Sequence, residues 1–210
     1  MWQRLRSAWY RSRLKRPEYD RLFAPPPEDE WVSVDCETTG LDPARDEIVS
    51  IGAIPIRGDR ILTSQRLELL VRPSVAPNVD SVRVHRLRQM DLEGGLPPGE
   101  AARRFLDFVG NRTLVGYYLE FDVAMLDRLV RPLLGVPLPN RQIEVSGLYY
   151  DYKFAQQVDG NVDLSFDLMR KDLGLPEREA HDAFNDALLA AMMFVKLRRL
   201  RAGHRQRTAG

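Results

Sequence analysis

Residues 31–40 read Trp31-Val32-Ser33-Val34-Asp35-Cys36-Glu37-Thr38-Thr39-Gly40, an apolar, β-branched run that ends in two acids and a glycine. Aromatic and β-branched residues in alternation favour a strand, here over 31–37. Side chains two apart in a strand share a face, so Asp35 and Glu37 project together from its C-terminal end. Acids are disfavoured inside strands, so the pair is either an ordinary exposed strand end or half of a carboxylate pocket. Gly40 and Asp42-Pro43 signal a turn after it, and Gly58-Asp59 a second one between apolar runs at 48–56 and 61–71. The expectation is a meander of three adjacent strands.

Downstream, helical periodicity is expected over 99–109, 121–134, 145–156, 164–173 and 182–200, with a fourth strand over 113–117. A meander followed by alternating strands and helices makes an α/β fold, a mixed sheet flanked by helices. Upstream, Trp2, Leu5 and Trp9 are spaced by three and four among Arg4, Arg6, Arg11 and Arg13, which fits a short amphipathic helix, with Pro17 expected to end it or bend the chain. The stretch Ala24-Pro25-Pro26-Pro27-Glu28-Asp29-Glu30 reads as a stiff linker. The expected division is therefore a basic segment and linker at 1–30, a domain at 31–200 and a basic tail at 201–210.

The net charge of +1 conceals an asymmetry. Residues 1–21 hold seven Lys/Arg against two acids and residues 196–210 hold six against none, which leaves 18 basic and 28 acidic side chains between them. Basic ends on an acidic body suit an anionic partner such as nucleic acid. The N-terminal segment has three readings: a solvated arm, a nucleic-acid contact, or a helix packed on this domain or a partner. Attachment to a membrane surface is a weaker reading, because the segment is short and has no second anchor. The only cysteine, Cys36, excludes an internal disulfide and suits a reducing cytoplasm. No apolar run reaches the roughly 20 residues of a membrane span, and no signal-peptide pattern opens the chain.

Three more residues join the acid pair. Asp122 follows Phe121 at the start of a helix after a short strand, where it is a functional acid or a helix cap. In His181-Asp182-Ala183-Phe184-Asn185-Asp186, Asp186 lies one turn inside the last helix, His181 lies at its start and Asp182 suits the N-cap. Taken singly, each has a structural reading. Together, four carboxylates and an imidazole suit one chemistry: hydrolysis of a phosphodiester with two divalent cations, Mg2+ or Mn2+, held by oxygen ligands. Asp35, Glu37, Asp122 and Asp186 are the candidate ligands. His181 is the candidate base for the attacking water, since imidazole ordinarily titrates near neutral pH.

These motifs, in this order and spacing, resemble those of the DEDDh 3′-to-5′ exonucleases, and among them the proteins similar to the epsilon proofreading subunit of bacterial DNA polymerase III. The resemblance covers about residues 31–200. It implies a ribonuclease H-like fold, the four acids as metal ligands, His181 as general base and release of nucleoside 5′-monophosphates from the 3′ end. It also implies that Thr38 and Thr39 lie against the terminal nucleotide, and that Val84-His85-Arg86-Leu87 corresponds to a Val-His-Gly-Ile segment beside the substrate, with Arg86 replacing the glycine. Phe121 packs against the strand end or in the core. Where many members have His-Asn after the strand glycine, this chain has Gly116-Tyr117-Tyr118, and Tyr118 is open to stacking, hydrogen bonding or packing. Glu37-Thr38-Thr39-Gly40 looks more like the DNA-polymerase branch than the RNA-processing ones, so DNA is the expected substrate, with RNA or short oligonucleotides as the alternative. A binding module that kept the fold and lost the reaction is the competing class. No polymerase-docking extension follows the last expected helix, so a free-standing enzyme is expected.

Overall fold

The computed structural model describes residues 2–156, 161–178 and 181–208. After α1 (Trp2–Arg11) and a 3-10 stretch at Pro17–Phe23, β1 (Glu30–Thr38) pairs antiparallel with β2 (Ile48–Arg57). The third meander strand is in two pieces, β3 (Arg60–Ile61) and β4 (Leu67–Leu70), both antiparallel to β2 and separated by a 3-10 turn at Thr63–Gln65. Thr63, Ser64 and Gln65 are exposed polar residues without the alternation that would continue a half-buried strand.

Two short helices not expected from the sequence follow, α2 (Val79–His85) and α3 (Gln89–Leu92). Then come α4 (Pro98–Val109), β5 (Thr113–Gly116), α5 (Leu119–Leu134), β6 (Gln142–Glu144), α6 (Val145–Ala155), α7 (Phe166–Asp172) and α8 (Ala183–Thr208). The sheet order is β3-β2-β1-β5-β6 with β4 beside β2, and β1–β5 and β5–β6 are parallel. The expected mixed α/β sheet flanked by helices is the fold observed.

The period-2 pattern of β1 separates two cores. Val32, Val34 and Cys36 face Phe105 and Leu106 of α4 and Leu126 and Val130 of α5. On the other face, Ile54, Ile56 and Val115 pack with Tyr149, Met169 and the α8 residues Leu188, Phe194 and Leu197. Fully burying each such side chain contributes about 1.5–3 kcal/mol, which makes this sandwich the stable frame of the molecule. Asp35 and Glu37, out of phase with Val34 and Cys36, therefore stand on the α8 side.

The packed body begins before the boundary expected at Trp31. Tyr19 and Leu22 are buried in the core shared with α4 and α5. The Lys15 N–H donates to Leu134 C=O at 2.9 Å, and Arg21 pairs with Asp107. Two apolar side chains three residues apart, with these polar contacts, fasten the segment to this domain, which was one of its three readings. The side chains of Trp2 and Leu5, which define the expected amphipathic face, lie outside the described residues. At the other end α8 continues to Thr208, beyond the expected stop near Leu200, so the basic tail begins as part of that helix. No described helix is long and apolar enough to cross a membrane.

Candidate active site

The site forms where the start of α8 rests on the sheet beside the acid pair. Asp35 lies opposite Gly52 in the β1–β2 register. A Cβ at residue 52 would stand 2.2 Å from the carbonyl carbon of Ala183 and 2.3 Å from the nitrogen of Phe184, so only glycine lets the first turn of α8 settle there. Asp186, one turn along, then reaches Asp35 and Glu37: each of the three offers a carboxylate oxygen, all within 4.8 Å of one another. A shift in the β1–β2 register between Glu37 and Thr38 ends the regular ladder immediately after the acids. Such irregularities bend a strand and re-aim its side chains.

Asp122 arrives from the other side. The β1–β5 ladder ends at Ser33, which leaves the Cys36 N–H without a strand partner, and Asp122 Oδ1 accepts it at 2.8 Å. Asp122 is buried and lies outside the three-carboxylate cluster, yet its charge acts on Asp35. Burial is the main reason that the carboxyls of Asp35 and Asp122 are raised above the ordinary range, and their mutual repulsion lifts Asp35 further. Glu37 is pushed up to about 7, by burial first and then by Asp186 and Asp182. Asp186 is raised by burial, against the opposing hydrogen bond from the His181 N–H.

A divalent cation fits this arrangement. The donors are hard carboxylate oxygens, and Asp186 Oδ1 is buried with no hydrogen-bond partner among the described residues. Sites that resist ionisation when empty gain when a cation replaces their protons.

His181 is exposed, with a left-handed backbone (φ 62°), and its N–H donates to Asp186 Oδ2 at 3.0 Å. Together with Glu37, His85, Arg104 and Asp182 it lines a cleft of about 520 Å³. Asp182 Oδ1 accepts the Asn185 N–H at 2.8 Å, the capping contact expected of it.

The other residues with expected substrate roles divide. Thr38 and Thr39 are buried, and their hydroxyls are engaged in the turn: Thr38 Oγ1 donates to Gly40 C=O at 2.6 Å, and Thr39 Oγ1 donates to Asp46 Oδ1 at 2.9 Å. His85 is also buried. The Leu87 N–H donates to its Nδ1 at 3.0 Å, which leaves the proton on Nε2, 3.2 Å from Thr38 C=O. Burial lowers its pKa, and with both nitrogens committed the ring holds the α2 segment against the end of β1. Phe121 packs against the core of α4 and α5. Tyr118, in contrast, is 73% exposed.

Two positioning residues were not singled out from the sequence. Gly52 carried a signal, since a glycine inside a strand pattern marks a close backbone approach. Glu144 bonds the N–H groups of Tyr118 and Leu119 at the start of α5, and its own signal was a weak one, an acid before Ser146 at a helix start.

The model of the Exonuclease family (RNase_T) matches residues 32–194, a span that contains every carboxylate of the site. The chain belongs to this exonuclease family. Among relatives of this chain, the DNA polymerase III PolC-type of Thermotoga maritima is 29% identical over 166 residues, 79% of this chain and 12% of that protein, so the chain spans about an eighth of that relative's length. The DNA polymerase III subunit epsilon of Aquifex aeolicus is 24% identical over 168 residues, covering 80% of this chain and 79% of that one. Among solved structures, E. coli Exonuclease I in complex with a dT13 oligonucleotide superposes with a TM-score of 0.72 at 15% identity, over 85% of this chain and 43% of that one. A zinc-ion-bound form of an E. coli ExoI–ssDNA complex gives 0.69 at 18% identity, over 83% and 41%. The two structural likenesses show the ribonuclease H-like fold.

Proposed function

We propose that the protein is a metal-dependent 3′-to-5′ exonuclease that releases nucleoside 5′-monophosphates from single-stranded or frayed 3′ ends of DNA. The observation that carries this reading is the convergence of Asp35, Glu37 and Asp186 within 4.8 Å at a cleft whose rim bears His181. In this reading Asp35, Glu37 and Asp186 hold two divalent cations, Mg2+ or Mn2+, and Asp122 supplies the fourth carboxylate. When bound, the cations provide Lewis acidity at the phosphate and favour ionisation of water. His181, exposed at the mouth, takes the proton of the attacking water on its imidazole. Thr38 and Thr39 shape the floor under the terminal nucleotide while His85 braces them, and Tyr118 and Phe121 flank its base.

DNA as substrate is supported by the polymerase names of the relatives and by the oligonucleotide complex of the structural neighbour. The zinc-bound neighbour supports a divalent cation without deciding which. The chemistry is assigned to 31–200, with the upstream segment as a brace on the far end of the domain. A cytoplasmic setting suits an enzyme with such relatives.

A time course on 5′-labelled single-stranded DNA and matched RNA, with Mg2+ or Mn2+, tests the reading. A ladder shortening from the 3′ end is expected, slowed about 10²- to 10⁴-fold in His181→Ala. Stronger cutting of RNA would redirect the assignment to an exoribonuclease. No cutting of either with any metal would leave a binding module as the better account.

A further inference from the structure

We propose that Glu144 is a positioning residue that locks Tyr118 as a stacking platform for the 3′-terminal nucleobase. This deepens, and rests on, the exonuclease reading. Tyr118 caps α5 in a left-handed backbone conformation (φ 55°, ψ 32°) and makes no capping hydrogen bond of its own. For a residue with a Cβ this conformation is strained, and a bulky side chain there needs a reason.

The carboxylate of Glu144 supplies the restraint. Its Oε1 accepts the Tyr118 N–H at 3.2 Å, and its Oε2 accepts the Leu119 N–H at 2.8 Å. The same Oε1 accepts the Ser146 N–H at 3.1 Å and the Ser146 hydroxyl at 2.9 Å. One side chain at the end of β6 thus joins the N-termini of α5 and α6. The turn is also seated closely on β1, because a Cβ on Gly116 would meet Val34 O at 3.0 Å.

The two consecutive tyrosines are used differently. Tyr117 donates its hydroxyl to Leu164 C=O at 3.1 Å and packs its ring 4.8 Å from that of Phe166. The ring of Tyr118 stands in solvent, 6.5 Å from that of Tyr117. Core packing therefore accounts for Tyr117 and gives no reason for Tyr118. Gly116 lies against Val34, next to Asp35, and Asp122 follows Tyr118 by about one helical turn, so the turn that carries the exposed ring opens at the same end of the sheet as the acids. A flat aromatic face beside a site for a phosphate suits a nucleobase, which stacks whatever its identity.

The ratio of kcat/KM for a strand with an intact 3′-terminal base to one with an abasic 3′-terminal nucleotide reads this contact. For the wild type a ratio of about 10–100 is expected, the worth of one stacked base. Tyr118→Phe should keep that ratio, Tyr118→Ala should bring it close to about 1, and Glu144→Ala should lower it in the same direction. A cleaving Tyr118→Ala enzyme with the wild-type ratio would overturn the proposal. Quenching of 2-aminopurine placed at the 3′ terminus, measured in EDTA so that no strand is cut, provides a second readout. Quenching lost in Tyr118→Ala supports the platform even if no protein cuts DNA, in which case only the exonuclease reading falls. Cutting with quenching indifferent to Tyr118 rejects the platform and leaves that reading intact.

Discussion

The two ends of β1 are built on opposite electrostatic plans. At the Trp31 end charges are matched: Glu30 accepts from Arg57 and from Arg112 at 3.1 Å each, and Arg198 reaches Asp29 at 3.1 Å while lying 4.0 Å over the Trp31 ring. At the other end, about 20 Å along the strand, Asp35, Glu37 and Asp186 face one another, and the charges that act on Asp35 and Glu37 are those of other acids. Three of the four described non-glycine residues with a left-handed backbone, Arg86, Tyr118 and His181, border that end as well. The matched end and the two cores contribute stability. The acidic end retains repulsion and strain that a cation and a substrate would relieve.

If that division is real, substitutions at the two ends should separate stability from activity. Leu22→Ala, in the N-terminal strap at the matched end, should lower unfolding stability by about 2–5 kcal/mol in urea titrations while kcat of the remaining folded enzyme holds. Unchanged stability would mean that the strap is a dispensable arm. Gly52→Ala should do both kinds of damage, costing about 1–3 kcal/mol and most of the activity, because its Cβ displaces the first turn of α8 and with it Asp186. A fully active variant would show that the close approach does not position the site.

The pH dependence of the cation-free protein sharpens the contrast further. Glu37, near 7 in the folded chain against an ordinary 4.5, contributes stability that is complete below about pH 4.5 and lost as the pH rises through about 7. In EDTA the melting temperature should therefore fall across that window, Glu37→Gln should flatten the slope, and Mg2+ should restore the loss at high pH. A melting temperature that rises with pH in EDTA would contradict the repulsive site. The smallest effect belongs to Arg198→Ala, which removes a partly exposed ion pair and a cation–π contact. A loss of about 1 kcal/mol with unaltered cleavage is expected, and altered cleavage would couple the two ends.

The strands and helices with strong periodicity were legible because their apolar residues must reach one of two cores. The acids of β1 were legible because carboxylates are unusual in a strand. Strand β6 has three residues, too few for alternation to register, and α2 and α3 carry little apolar periodicity. The strap was read by its charge, whereas Tyr19 and Leu22 decide where it lies. His85 and the two threonines were expected to meet substrate, and within the fold their polar atoms are engaged, Thr38 with Gly40, Thr39 with Asp46 and His85 with Thr38.

By itself the sequence determined the class of fold and the family, and it singled out four carboxylates and a histidine as candidates, because the alternation of strand faces and the order of motifs are written locally along the chain. Tertiary structure alone decided that three of the acids converge while Asp122 caps the Cys36 N–H behind them. It likewise decided that Gly52 admits α8 and that Glu144 holds Tyr118 outward. Those are meetings of residues between 26 and 151 positions apart, set by how helices seat on a sheet, and no local pattern encodes the distance at which two such surfaces come to rest.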